Sequence, residues 1–211
     1  TILGWGGYWA WDPVENAAFM PWLALTAFIH SIMVQKRRGM FRMWNIILIN
    51  ISFTLGAFGI FINRGGPVPS VHSFGASNLG WIFLIFLGVV MLASFALFFH
   101  RIALLRSTGT LDSVLSREAA FLVNNLLFLG VAFVTLWGVV FPIISELVLD
   151  TTITVGEPYY NKVNGPIILA LIFLMAVGPL LPWRHATWGS VRRAMLTPGL
   201  IALGITASVA V

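Results

Sequence analysis

The chain has 211 residues, of which 59% are hydrophobic and 9% are charged, and its mean hydropathy is +0.94. These values exclude an ordinary water-soluble domain and are typical of a polytopic membrane protein. The net charge of +5 does not indicate nucleic-acid binding, because the basic residues lie in short links between apolar runs. The chain has no cysteine, which excludes disulfides and any thiolate metal site.

Apolar runs of about 20 residues, the length that crosses a bilayer, recur along the chain. They predict an all-α, polytopic transmembrane helix bundle that forms a single membrane domain over residues 1–211. The expected spans are 15–34, 43–62, 80–100, 119–141, 165–181 and 197–211. The first residue is not Met and the last lies in an apolar run, so we expect a fragment of a longer chain.

The lysines and arginines predict the orientation of the bundle. Ten of the twelve basic residues lie in three links, at 35–42, 101–118 and 182–195, and the opposite links hold only Arg64 and Lys162. Positively charged links stay in the cytoplasm. The outer side should therefore hold residues 1–16, the 63–79 loop and the 142–164 loop. The last of these is either an ordinary polar connection or a contact surface for a partner protein.

The run WGGYWAWDPVENAAFMPWL, residues 5–23, joins a tryptophan-rich segment to the first predicted helix. Asp12 can cap this helix, Pro13 suits its first turn, and Glu15 completes a capping box with Asp12. Four aromatic residues precede the cap: Trp5, Tyr8, Trp9 and Trp11. They could anchor the chain at the water–lipid interface, or form a flat platform for a large planar apolar ligand. Their density, between flexible glycines, favours the platform.

The same run resembles the tryptophan-rich WWD signature of the haem-handling proteins of cytochrome c maturation. Its continuation, DPVENAAFMPWL, is similar to the CcmF family, the haem lyase subunit, rather than to the related CcmC and CcsA families. The resemblance extends through VPSVHSFGASN at 68–78, SREAAFLVNN at 116–125 and VGEPYYNKV at 155–163. Tyr8 stands where the family usually has a second tryptophan, and it keeps a flat ring.

The resemblance implies an enzyme, a cytochrome c haem lyase that belongs to a holocytochrome c synthetase in the bacterial inner membrane. It would accept haem from a CcmE-like periplasmic chaperone and attach it through thioether bonds to the CxxCH cysteines of apocytochrome c. A CcmH-like subunit that binds apocytochrome c, and quinol as an electron donor, are the other implied partners. Two further functions fit the same features: a haem transporter, and a quinol-oxidising electron-transfer subunit that carries haem b.

Two of the four histidines are candidate iron ligands. His30 lies about 21 Å along a helix from Asn16 and hence inside the membrane, where ionisable side chains are usually functional. The resemblance implies that His30 binds a transmembrane haem b, and the alternative is a hydrogen bond to a neighbouring helix. His72 lies in an outer loop, where the resemblance implies that it binds the iron of a transient external haem. His100 and His185 are expected to be interfacial.

The resemblance also implies roles for other residues at the outer surface. The external haem would be clamped by Trp5, Tyr8, Trp9 and Trp11. Asp12 would complete the catalytic set with His72 by fixing the corner between loop and helix, although the sequence explains it equally as a cap. Asn124 and Asn125 are expected to hydrogen-bond between helices. Since two haems with two histidines each need four ligands, the partners of His30 and His72 are expected outside this chain.

Overall fold

A computed structural model describes residues 8–72 and 77–209 of the chain. These residues form six α-helices and two 3₁₀ turns without a β-strand, which confirms the all-α prediction. The helices are α1 Pro13–Arg38, α2 Arg42–Gly65, α3 Leu79–His100, α4 Arg117–Leu149, α5 Glu157–Val177 and α6 Trp188–Val209. The 3₁₀ turns are Ile102–Leu105 and Gly178–Leu180.

Five segments of the described chain are long and apolar enough to cross a membrane. They are α1 to α4, and α5 together with the 3₁₀ turn that follows it. The predicted sixth span, 197–211, is not among them: α6 begins earlier, at Trp188, and Arg192, Arg193 and Pro198 lower its hydropathy. The chain is a multi-pass membrane protein.

The connection between α4 and α5 is shorter than expected. α4 ends at Leu149 and α5 begins at Glu157, so the predicted outer loop 142–164 is wrong, and most of it is helical. Pro142 lies inside α4, where it removes a backbone hydrogen bond, but packing on both sides of the proline keeps the helix intact. Pro158 lies in the first turn of α5, where a backbone N–H would have no helical partner.

α1 lies at the centre of the bundle and packs against α2 and α4, while α3 packs on α2 and α5 packs on α4. Small side chains allow this close approach. Ala17, Ala24 and Ala27 are buried on α1, and a Cβ added to Gly59 of α2 would lie 3.2 Å from the carbonyl oxygen of Ala17. Contacts of this kind are common between membrane helices. As a result, α1 carries its polar residues through the middle of the bundle.

The links at the two ends of the bundle meet in two separate groups. At one end, the segment before α1 contacts the α2–α3 link and the first turn of α5; we call this the tryptophan end. At the other end, Arg38 forms ion pairs with Asp112 and Glu118, and Glu118 also accepts hydrogen bonds from the backbone N–H of Arg184. We call this the arginine end. The three links that contain ten of the twelve basic residues, which we predicted to share one side of the membrane, therefore lie at the same end of the bundle.

Candidate functional site

The tryptophan end is organised around the first turn of α1. The Asp12 carboxylate caps the helix, and Glu15 accepts hydrogen bonds from the backbone N–H groups of Asp12 and Ala10 at 3.2 and 3.0 Å. The predicted capping box is therefore present. Trp11 adopts a left-handed backbone conformation, with φ of 56°, and the Asn16 side chain donates a 2.8 Å hydrogen bond to its carbonyl oxygen. These contacts hold the chain in a sharp turn above the helix.

Asp12 also connects α1 to the loop that carries His72. Its Oδ2 lies 3.3 Å from Nδ1 of His72 and accepts a 2.5 Å hydrogen bond from the Ser70 hydroxyl. The Ser70 hydroxyl in turn accepts a hydrogen bond from the backbone N–H of His72 at 3.0 Å. A carboxylate beside Nδ1 fixes the rotation and the tautomer of an imidazole, so that Nε2 is the nitrogen suited to bind a metal. Asp12 is thus more than a helix cap.

The aromatic residues before α1 form a corner. The ring centroids of Trp9 and Trp11 are 5.6 Å apart and their planes meet at 78°. Phe19, in the second turn of α1, lies edge-on to both indoles, at 5.5 Å from Trp9 and 6.2 Å from Trp11. The expectation of one flat platform is therefore wrong for these two tryptophans. Trp9 is 42% exposed, which leaves much of its ring accessible to a ligand.

Trp11 is held from behind by α5. Its ring stacks on Tyr160 at 5.0 Å with an angle of 8°, and its Nε1 donates a 2.9 Å hydrogen bond to Oδ1 of Asn161. Tyr160 is 1% exposed and lies against Gly138 of α4, where any Cβ would collide with the phenol. Because Tyr160 and Asn161 occupy one face and the N–H of Trp11, this tryptophan is a fixed wall of the corner.

His30 lies in the half of α1 nearer the arginine end and faces α4. The Asn124 amide nitrogen is 2.8 Å from its Nδ1, which is the interhelical hydrogen bond expected of Asn124. The rings of Phe121 and Phe128 lie 5.4 and 5.8 Å from the imidazole. Asn125, by contrast, is fully buried and has no side-chain hydrogen-bond partner among the described residues. As placed, the Asn124 amide donates to Nδ1, so the proton of the neutral imidazole lies on Nε2.

A cavity of about 190 Å³ opens beside His30 between α1, α4 and α5. Its lining is mostly apolar, with Asn124 near His30 and with Arg117 as its charged residue. Pockets for drug-sized ligands have volumes of roughly 300–1,000 Å³, so this cavity would take only part of a porphyrin. An imidazole among aromatic rings, with a cation nearby, is a donor set that fits one side of a haem site.

The remaining predicted residues lie elsewhere. Trp5 is outside the described residues, and Tyr8 is fully exposed. His100 and His185 are exposed toward the arginine end, away from the tryptophan corner. Within 8–72 and 77–209, no group of three or more His, Cys, Asp or Glu side chains could hold a metal ion.

Sequence reasoning missed several residues that build the two sites. Phe19, Tyr160 and Asn161 form the supports of the tryptophan corner, and Ser70 bridges Asp12 and the His72 backbone. The family resemblance did include the segments VPSVHSFGASN and VGEPYYNKV, which contain Ser70, Tyr160 and Asn161. Nothing in their spacing relates them to the tryptophans.

Comparisons with known proteins agree with the resemblance. Residues 2–65 match the family described as Cytochrome C assembly protein. The cytochrome c-type biogenesis protein CycK of Bradyrhizobium diazoefficiens is 36% identical over 98% of this chain, and CcmF of Pseudomonas aeruginosa is 39% identical over 98%. CcmF of Escherichia coli is 38% identical over 92% of the chain. The chain covers 31%, 31% and 30% of these relatives, about a third of their length.

A solved structure is similar as well. A chain titled Cytochrome c Heme Lyase CcmF superimposes with a TM-score of 0.71 at 35% sequence identity. The match covers 96% of this chain and 29% of that structure. The arrangement of the helices and the sequence signature therefore point to the same group of proteins.

Proposed function

The chain belongs to the CcmF family of cytochrome c biogenesis proteins, and from that premise we propose that its tryptophan end is part of the surface on which haem is attached to apocytochrome c. Because the chain spans about a third of its relatives, the activity is that of the whole protein. The observation that carries the proposal is the contact between Asp12 and His72. It places an imidazole, a side chain able to bind iron, at the same end as the corner formed by Trp9 and Trp11.

Haem attachment is an addition reaction. In each thioether bond, the sulfur of a CxxCH cysteine bonds to one carbon of a haem vinyl group, and the thiol proton goes to the other vinyl carbon. No electrons are gained or lost overall. The protein must hold two thiols against two vinyl groups, and such positioning can lower a barrier by about 7–11 kcal/mol.

In this proposal, haem is the substrate and lies against the tryptophan corner. Trp9 offers the accessible ring face on which the porphyrin stacks, and Trp11, held by α5, limits how far the porphyrin can slide. His72 binds the iron through Nε2, since the Asp12 carboxylate lies 3.3 Å from its other ring nitrogen, Nδ1. With the iron and one face held in this way, the vinyl edge stays open to the thiols.

We propose a second haem beside His30, on the arginine side of the membrane. A haem bound there would carry single electrons, which quinol would supply. For His30 to bind iron through Nε2, its Nδ1 must carry the proton and donate it. The Asn124 Oδ1 is buried and has no hydrogen-bond partner among the described residues. A half-turn of the amide, which leaves its shape unchanged, places this oxygen against Nδ1. Asn124 would then hold the imidazole, as the outer partners of metal-bound histidines do.

We place the tryptophan end on the periplasmic side of the bacterial inner membrane. Ten of the twelve basic residues belong to the links of the opposite end, which supports this orientation through the positive-inside rule. A CcmE-like chaperone would deliver haem to the tryptophan end, and a CcmH-like subunit would present apocytochrome c there.

Haem attachment by the purified full-length protein tests the proposal. The protein is supplied with a haem-loaded chaperone and a CxxCH peptide, and the pyridine haemochrome spectrum of the peptide reports whether the vinyl groups have been saturated. His72→Ala should give no attached haem. His185→Ala, which is exposed near the arginine end, is the matched control and should behave as wild type. A wild-type protein that binds haem without ever forming the covalent product would refute the lyase function and favour haem transport.

A further inference from the structure

The arginine end contains a second, strongly basic cavity that the lyase reaction does not use. It has a volume of about 330 Å³ and lies between the last turns of α1, the first turns of α4 and the segment after α5. It is lined by Met33, Lys36, Arg37, Arg117, Phe121 and Trp183. Three of these six side chains are cationic and none is acidic, so the cavity is complementary to an anion.

The nearby carboxylates do not neutralise this cavity. Asp112 and Glu118 both form ion pairs with Arg38, which does not line it. Within the part of the chain that the structure describes, neither Arg37 nor Arg117 lies within ion-pairing distance of a carboxylate. The two cations therefore leave an uncompensated positive charge at the edge of the membrane.

Arg117 is fixed in place before any ligand binds. Its Nε and Nη2 donate hydrogen bonds to the carbonyl oxygens of Leu181 and Pro179, at 2.8 and 2.6 Å. The guanidinium carbons of Arg37 and Arg117 lie 5.4 and 5.3 Å from the ring centre of Trp183, so both cations contact the same indole. A planar guanidinium that is already positioned is well suited to a carboxylate.

The basic cavity lies next to the cavity of His30. Arg117 and Phe121 line both cavities, and we call the two cavities together the groove. The residues that line the groove follow helical spacing. On α1, His30, Met33 and Arg37 lie on one face, and Arg37 is about 10 Å beyond His30 by the helical rise. α4 runs in the opposite direction, so Arg117 lies at the level of Arg37, and Phe121 follows it toward the level of His30. The groove is thus polar at the histidine, apolar in the middle and cationic at its end.

We propose that Arg37 and Arg117 bind the propionate carboxylates of the haem whose iron His30 holds. This inference rests on the proposed haem site at His30. Haem is an apolar disc with two carboxylates on one edge, and the groove presents an imidazole, apolar walls and two cations in the matching order. The carboxylate edge of this haem then points toward the cytoplasm. An anionic phospholipid headgroup could also pair with the cations, but it contains no group that would bind the imidazole in the same groove.

Haem and its dimethyl ester, in which both carboxylates are neutral, separate the propionate contact from iron ligation. The full-length protein, stripped of haem, is titrated with each compound, and binding is followed by the visible absorption of the histidine-ligated iron. Wild-type protein should bind haem about tenfold or more tighter than the ester, because a hydrogen bond to a charged group is a strong one. Arg37→Gln should reduce this preference severalfold, and Arg37→Gln/Arg117→Gln should abolish it with the ligand spectrum unchanged.

Controls make each outcome decisive. Arg42→Gln removes one exposed charge at the same end and should keep the wild-type preference. Arg117 holds loop carbonyls and its loss could disturb folding, but the Arg37 side chain donates no hydrogen bond within the described residues, so Arg37→Gln alone is a sufficient test. An unchanged preference in Arg37→Gln would overturn the proposal. A second result would also overturn it. In this case native mass spectrometry shows one anionic phospholipid bound per protein, the double variant loses this lipid, and the double variant still prefers haem over the ester. Loss of the ligand spectrum in His30→Ala tests the haem site itself, independently of the propionates.

Discussion

The Asp12 carboxylate lies 3.3 Å from the imidazole Nδ1 of His72, although the whole of α1 and α2 separates the two residues in the chain. The same oxygen caps α1 through a 2.9 Å hydrogen bond from the backbone N–H of Val14. One side chain therefore sets both where the helix begins and how the loop histidine is oriented. This dual role can be separated by substitution.

Asp12→Ser should retain the helix cap and lose the contact with His72. Serine is a good N-cap, but its side chain is too short to reach the imidazole. We expect thermal stability close to wild type and roughly 10–100-fold weaker iron binding at the external site, the range seen when an outer partner of a metal ligand is removed. Asp12→Ala should lose a further cap contribution of about 1 kcal/mol in unfolding free energy. Full haem attachment by the serine variant would show that the contact has no part in function.

Trp9 and Trp11 should respond differently to truncation. Trp9→Ala should weaken haem acceptance by about 1–3 kcal/mol, taking stacking on nucleobases as the nearest analogue. It should lower stability less than Trp11→Ala, because Trp9 is 42% exposed and loses only edge contacts with Trp11 and Phe19. Trp9→Phe should be milder. Trp11→Ala should instead lower the melting temperature, because it loses the Tyr160 stack and the Asn161 hydrogen bond, about 0.5–1.5 kcal/mol each. Haem titration and thermal unfolding of the same samples measure both effects, and identical behaviour of the two variants would contradict the assignment.

His72→Ala should abolish cytochrome c attachment without altering the visible spectrum of the membrane haem. The two histidines lie far apart, because His72 is at the tryptophan end and His30 is deep along α1. Added imidazole should partly restore attachment by replacing the missing ligand. Attachment at the wild-type level without imidazole would remove His72 from the mechanism.

Asn124→Leu should reduce the haem content of the His30 site. The substitution removes the 2.8 Å contact with Nδ1, and we expect roughly 10–100-fold weaker haem binding. Asn125→Leu is the matched control, since Asn125 is equally buried on the same helix but has no side-chain partner among the described residues. Equal losses in the two variants would indicate a general packing effect. Haem quantified per purified protein provides the measurement.

Glu118→Ala should destabilise the arginine end strongly. Glu118 is 1% exposed, its Oε1 lies 2.9 Å from Nε of Arg38, and its two oxygens accept hydrogen bonds from the Arg184 backbone. Removing one partner of a buried pair costs about 3–5 kcal/mol when the other charge is left unpaired. Arg38 keeps its ion pair with Asp112, so we expect a loss toward the lower end of this range. Replacing both residues, as Arg38→Met/Glu118→Leu, should recover much of the loss. Thermal unfolding in detergent compares the variants, and a small effect of Glu118→Ala would show that the pair is solvated.

Hydropathy and capping residues were sufficient to predict the helical class, the approximate positions of the first three long helices and the beginning of α1. Each of these features depends on a short stretch of chain: about 20 apolar residues for a span, and four residues for the capping box Asp12–Glu15. The local rule for proline failed at Pro142. Proline inside a helix indicates a break, but packing on neighbouring helices holds α4 together through Pro142. Pro158 follows the same rule as Pro13, because both lie in the first turn of a helix.

Only the tertiary structure decided which side chains meet. The stack of Trp11 on Tyr160, the contact of Asp12 with His72 and the pairing of His30 with Asn124 each join different helices or links. Successive residues of a helix point about 100° apart, so a one-residue change in how two helices face each other would replace every such partner. The sequence specifies that choice through the packing of small residues across the whole bundle, which no single segment contains.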